Sequence, residues 1–326
     1  MVLAYSPDNA LFAGKGIVYF KPQGQNGFLD LGNVPKLEIN PEIGKEDYFS
    51  SRRGVKEKAK TFFTQKTVKA SLDLHDFSAD NINLAFLGDG VQLSNQTDGY
   101  LNAVNITTVA DRFVPLDKTN LSILKLFHGT VTNGPFVYGA TVTGGTSAAT
   151  AKIGWAGTGF IELVNVVGNF QVGETITSAG APAPTAEVTG QEVMSDVIAL
   201  NAATTPTTRY INGTDYNVET IGGLLRELQG AGIVSHAVFV SADHPAKANR
   251  SIRALAGTSA TGELRFISTG DNGPRYNVQA WKVDLKMSGA IGLIGDDLSK
   301  ISLEAEFLSD AVNHPNEPFF RATEVA

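Results

Sequence analysis

Five histidines are the groups in this sequence best suited to carry a proton near neutral pH, and their spacing assembles no catalytic set. His75, His128, His236, His244 and His314 form no H-E-x-x-H pair and no metal-ligand spacing, and there is no cysteine to complete a structural zinc centre. On an extended strand Asp73 and His75 project from one face, so the two can share a hydrogen bond; local polarity is the expected role. Asp296 and Asp297 are adjacent carboxylates, but with Gly295 before them and a strand after them they read as a turn. Neither a G-x-x-x-x-G-K-[ST] phosphate loop nor a G-x-S-x-G nucleophile elbow is present. The expectation is a protein that is not an enzyme, with no catalytic, cofactor-binding or metal-binding residue.

The densest run of one charge sign is basic. Residues 50–60 read SSRRGVKEKAK, with Arg52, Arg53, Lys56, Lys58 and Lys60 against the single acid Glu57. That stretch carries +4 in a chain of formal net charge −7, which leaves −11 on the rest. A protein that wraps nucleic acid presents a basic domain or stripe, and this chain presents the reverse. The aromatics Tyr19–Phe20, Phe62–Phe63 and Phe319–Phe320 stand in adjacent pairs, which a strand sends to opposite faces. A base-stacking platform needs them on one face beside basic groups, so core packing and subunit contact are expected instead.

The elements that must position these residues are mostly strands. KLEINPEI (36–43), TVKASLDLHDF (67–77), WKVDLKM (281–287) and KISLEAEF (300–307) each alternate apolar and polar side chains. Each predicts a strand with one dry and one wet face. Trp281, Val283, Leu285 and Met287 are assigned to a dry face, as are Val68, Ala70, Leu72 and Leu74. Two helices are expected: one N-capped by Ser78 and stopped by Gly88, the other from Asp243 through Ala248, Ile252 and Leu255 to Gly257.

At 326 residues, 42% hydrophobic and 18% charged, the chain has room for about two globular domains. The start, MVLAYSPDNALF, lacks a basic region followed by a long apolar run, and no window approaches a membrane helix. A soluble product without a signal peptide is expected.

Composition shifts between Gly129 and Val188, where Lys152, Glu162, Glu174 and Glu187 are the only charged residues. Inside it GPFVYGATVT (134–143) aligns with GNFQVGETIT (168–177), pairing Phe136 with Phe170, Gly139 with Gly173 and Val142 with Ile176. Further on, Ile153 matches Val188. Two copies are too few for a solenoid. The reading is a compact all-β insert (129–188) of two similar hairpins, glycines at the turns and one aromatic per copy in a shared core, between flanking parts 1–128 and 189–326.

The flanking parts resemble the major tail-tube proteins of long-tailed phages. The resemblance rests on four features in order: strand, long charged hairpin, strand and helix from Val34 to Gly88; YINGTDYNVETIGGLLREL, with Tyr210, Gly213, Asp215, Tyr216, Val218 and Gly222; LIGDDLSKISLEAEFLSDA, a polar turn into a long strand that closes the sheet; and the ending EPFFRATEV. It spans residues 10–128 and 189–326.

That resemblance implies a mainly β fold, a tail-tube β-sandwich or barrel with one flanking helix and a long charged hairpin, here with a small inserted all-β domain. It implies six copies joined edge to edge, with rings stacked into a tube that conducts DNA during ejection. The partners would be further copies of the chain, other tail proteins (tape measure, tail terminator, baseplate or tip) and DNA in transit without specific binding, with no membrane. The location would be the virion tail, after assembly in the host cytoplasm.

In that family the hairpin reaches the next ring, which would make Arg52, Arg53, Lys56, Lys58 and Lys60 an inter-ring contact that favours correct stacking. The candidate lumen lining is Glu38, Glu42, Lys69, Asp73, Lys282, Asp284, Glu304 and Glu306. With Lys36 and Lys286 added, that lining sums to about −2 per subunit and about −12 per six-membered ring, a wall that does not hold DNA phosphates. The competing reading is a virion or cell-surface β-sandwich adhesin whose Gly/Thr-rich insert binds carbohydrate.

Overall fold

The structure is a computed structural model that describes residues 14–50, 54, 56–230, 232–233, 236–270 and 274–325. From the N-terminus come β1 (Gly16–Pro22), β2 (Leu29–Asp30), the two longest strands β3 (Lys36–Ser50) and β4 (Glu57–Leu74), helix α1 (Ala79–Ala85) and β5 (Val91–Gln96). Next are β6 (Gly99–Thr107), β7 (Phe113–Pro115), β8 (Ile123–His128), β9 (Thr141–Gly144), β10 (Thr150–Gly157), β11 (Phe160–Val167), β12 (Thr175–Ser178) and β13 (Thr185–Met194). Then follow β14 (Ile198–Leu200), β15 (Arg209–Tyr210), β16 (Tyr216–Glu219), β17 (Leu224–Glu227) and β18 (Ala237–His244). The last are β19 (Lys247–Ile252), β20 (Ala260–Ser268), β21 (Arg275–Met287), β22 (Ile301–Phe307) and β23 (Phe320–Val325). Among the described residues the chain is mainly β, 56% strand with one helix.

It divides into two compact units, Met1–Ser94 with Arg250–Ala326, and Asn95–Asn249. The first is built on an eight-stranded sheet in the order β2-β1-β20-β21-β22-β4-β3, with β23 also paired to β21. Alternation dictates its dry face. Val68, Ala70, Leu72 and Leu74 of β4 and Ile301, Leu303, Ala305 and Phe307 of β22 are all buried, and they join Val18, Phe20, Leu264, Val283 and Leu285 in one core. Helix α1 lies against that core through Leu84 and Ala85. It begins where Ser78 Oγ accepts the Asn81 N–H at 3.2 Å and ends where Leu87 turns left-handed (φ 47°) and Gly88 N–H donates to Asn83 O.

Four sequence expectations change, three in this unit and one where the chain re-enters it. Trp281 is not on the dry face: Ala280 pairs with Leu264 and Val283 with Gly262, so a bulge sets Trp281 and Lys282 together against Glu263, and Ala280 takes the core position. Trp281 instead stacks on His314 (centroids 3.8 Å, planes 3° apart), and its Nε1–H donates to Glu317 O at 2.8 Å. Met287, also assigned to the dry face, is exposed. The strand β22 does not close the sheet but lies inside it, between β21 and β4. The second helix is absent: Asp243 belongs to β18, and residues 247–252 form β19, which pairs with β5. Three weakly placed apolar residues cannot hold a helix against a backbone ladder, and Leu255 is left exposed.

The second unit contains a closed barrel, β10-β11-β8-β13-β12-β9, beside a four-stranded sheet β15-β14-β18-β6 and a three-stranded sheet β16-β17-β7. The repeat read from the sequence is present as two equivalent hairpins, β9–β10 and β12–β13, joined through β9 and β12. Gly139 N–H donates to Ile153 O at 2.7 Å and Gly173 N–H to Val188 O at 2.8 Å. Phe136 and Phe170 are both buried in the barrel core with Val142, Ile176, Ile153 and Val188. The barrel is larger than the expected insert, because β8 and β13 extend it to 123–194. Its core runs into the neighbouring sheet through Ile123 and Val164, which pack with Val197, Ile198, Val238 and Val240. That shared core places residues 95–128 and 189–249 with the barrel, not with the flanking sheet.

The tyrosine-rich motif also lies in this second unit. Gly213 (φ 82°) and Asp215, whose Oδ2 accepts the Ile211 N–H at 2.8 Å, make the turn from β15 to β16. Tyr210 and Tyr216 are buried. Arg209 donates through Nε to Glu162 Oε2 at 2.6 Å and lies 3.7 Å from Asp196, a buried ion cluster. Burial opposes the guanidinium charge, but Tyr216 and Glu162 outweigh it and raise the Arg209 pKa.

Candidate assembly surface

The polar residues picked out on four separate strands fall on one face of one sheet. In register, Lys36 faces Asp73, which faces Ser302; Glu38 faces Ser71, then Glu304, then Lys286; Asn40 faces Lys69, then Glu306, then Asp284. Glu42 lies one step further on β3, opposite Thr67. Lys282 reaches the same face from the bulge. These rows follow from the period of two, which turns every second residue of each strand the same way.

Most of the lysines on this face have a carboxylate beside them. Lys69 lies 3.4 Å and Lys286 3.7 Å from Glu304, and Lys36 lies 3.1 Å from Glu38. Asp73 accepts from Ser302 Oγ at 2.6 Å and from Lys300 Nζ at 2.9 Å, and these two bonds hold its carboxyl below the usual range. Both its oxygens are thereby engaged, while His75 lies past the end of β4 with its N–H on Asn33 O. Asp284 and Glu306, directly opposite one another, are a like-charge pair.

Among the described residues, strands β3 and β4 continue together beyond the sheet as a bare two-stranded arm. Pairing runs from Lys36–Asp73 to Ser50–Glu57, with irregularities at Gly44/Lys45 and Tyr48/Phe49. The strands reach further than the alternation suggested, so Lys58 and Lys60 are strand residues and not part of the tip. Arg52 and Arg53 lie outside the described residues. Lys56 is exposed just before β4.

The arm beyond Ile43 spans about 20 Å at strand rise. It shows aromatics on both faces: Phe63 (67% exposed) and Phe49 on one, Phe62 and Tyr48 on the other. Some of its charges have local partners. Lys58 lies 2.7 Å from Asp47, Thr61 Oγ1 donates to Asp47 at 2.7 Å, and Lys45 and Lys60 sit over the rings of Phe63 and Phe62. The hydrogen bonds from Lys58 and Thr61 lower the Asp47 pKa. A two-stranded ribbon is marginal in water by itself, and exposed aromatics on it mark a contact surface.

Among the described residues no group of three or more His, Asp or Glu could hold a metal ion, and no helix is long and apolar enough to cross a membrane. Sequence reasoning missed the exposed apolar loop between β21 and β22, since Leu293, Ile294 and Leu298 read there as part of a polar turn. No curated protein matches the chain. The sequence profile of the family described as Protein of unknown function UCP028589 matches residues 11–142 and 162–321, passing over the segment that holds β10, and by that match the chain belongs to this family.

Proposed function

We propose that this chain is a structural, self-assembling subunit, a tail-tube protein of a long-tailed phage or prophage whose copies form six-membered rings stacked into a DNA conduit. The observation that carries the reading is the sheet that ends in β3: its wet residues form continuous rows on one face, and its edge hairpin runs on as a bare arm. An open edge invites pairing and a two-stranded ribbon is marginal in water, and sister copies are the simplest cover for both. The arm would reach the adjacent ring and the polar rows would line the lumen.

The charge arrangement supports transit over binding. A wall that grips duplex DNA does so by releasing counterions to clustered lysines, and here Lys36, Lys69 and Lys286 each have a carboxylate beside them. The tape measure, the tail terminator and the baseplate or tip are the further partners, the virion tail is the location, and no catalysis is assigned.

Electron microscopy of the purified protein over a range of concentrations tests this reading. Hollow rings or tubes are expected. Monomers that persist at high concentration and with tail-initiation factors added would overturn it, and glycan binding by those monomers would favour the adhesin.

A further inference from the structure

The loop joining β21 to β22 presents apolar side chains to water: Leu293 is 82%, Ile294 98% and Leu298 74% exposed. The loop is held in shape. Ile291 packs on the sheet core, Ser299 Oγ donates to Gly292 O at 2.6 Å to close its neck, and Lys300 is tied to Asp73. A closed, anchored loop that ends in leucine and isoleucine is preorganised for contact. Beside these side chains stand Asp296 and Asp297.

The same unit has a cleft that suits this loop. Between the end strand β3 and strands β1, β20 and β21 the core opens into a cavity of about 780 Å³, lined by Val18, Leu37, Ile39, Phe266 and Val278. Lys15 and Lys36 stand on its rim, with Glu38 paired to Lys36, so the rim is net positive. We infer that the β21–β22 loop of one copy seats in the cleft beside β3 of a second copy, apolar tip in the apolar opening and Asp296 and Asp297 on the basic rim. The two surfaces differ, so the contact is heterologous and propagates from copy to copy, closing where the rotation allows. The inference rests on the tube reading and names a contact within it.

The chain has no cysteine, so single thiols report cleanly. Lys15→Cys and Ile294→Cys variants are mixed at assembling concentration with a short bis-maleimide. A linked dimer is expected in the mixture and in neither variant alone. Ile294→Asp should cut the assembled fraction about tenfold or more while leaving the fold intact, since the side chain touches little in the monomer. Charge reversal at Asp296 and Asp297 to Lys should weaken assembly, and Lys15→Glu with Lys36→Glu should restore it.

Tubes without the crosslink, or with Ile294→Asp assembling normally, overturn this contact and leave the tube reading standing. Neither tubes nor crosslink removes both.

Discussion

Ser147 holds Glu174 by two hydrogen bonds, its Oγ donating to Oε1 and its N–H to Oε2, each at 2.9 Å. The N–H groups of Thr146 and Gln171 complete the set around a carboxylate that is buried in the barrel. Burial alone would raise the Glu174 pKa, but the bonds from Ser147, Gln171 and Thr146 outweigh it, and the value is lowered. A depressed carboxylate stabilises the fold above its unfolded value of about 4.3, and the contribution fades as pH falls through the lower folded value. Thermal melts from pH 7 down to 3 should show the loss in the acid range. Glu174→Gln should flatten that dependence and cost about 1–3 kcal/mol at pH 7. An unchanged acid slope in the variant would remove Glu174 from the account.

The two halves of the barrel make a second prediction. Gly139 (φ 77°) and Gly173 (φ 89°) occupy equivalent left-handed turns, and a Cβ at either would meet open space. Backbone strain is then the only penalty, about 1 kcal/mol for alanine at each site. Urea denaturation should give matching losses for the two single variants. A large difference between them would mean that the turns are not equivalent.

The aromatic arm should matter to assembly and not to folding. Phe62→Ser and Phe63→Ser alter exposed side chains, so stability should shift by no more than about 0.5 kcal/mol. Tube length in micrographs should fall sharply. Full-length tubes from the double variant would leave the arm a solvated hairpin.

Glu304 lies between two lysines from the strands on either side of it, Lys69 and Lys286, and offsets part of their charge. Glu304→Lys would cluster three cations in every subunit, with Lys286 in the same row and Lys69 diagonally across in the next. Assembled tubes carrying it should retain duplex DNA at about 50 mM salt and release it near 200 mM, the signature of counterion release. Exposed pairs of this kind contribute up to about 1 kcal/mol each, so the sheet should stay folded. Absence of retention at low salt would place this face away from the DNA path.

Local pattern made the sheet strands readable. Leu72 and Leu303, seen only as alternate residues in separate segments, are buried in the same row, and Phe136 and Phe170 meet in one core as their repeat implied. Ser78 marked the helix because capping is a short-range hydrogen bond. Asp243 to Gly257 misled for the same reason: its spacing is weakly helical, and its strand partner β5 lies far back in the chain.

What the sequence by itself determined is what depends on neighbours within a few residues: which strands are two-faced, where the helix starts, and that the barrel is doubled. What only the tertiary structure decided is what depends on distant partners. The bulge that turns Trp281 out of the core exists because β20 offers one residue where β21 has two. The unit boundaries lie at 94/95 and 249/250 because Ile123 and Val164 share a core with strands outside the repeat. The exposure of Ile294 follows from a neck closed by Ser299 and Gly292, since apolar side chains avoid water only where the folded backbone gives them somewhere to go.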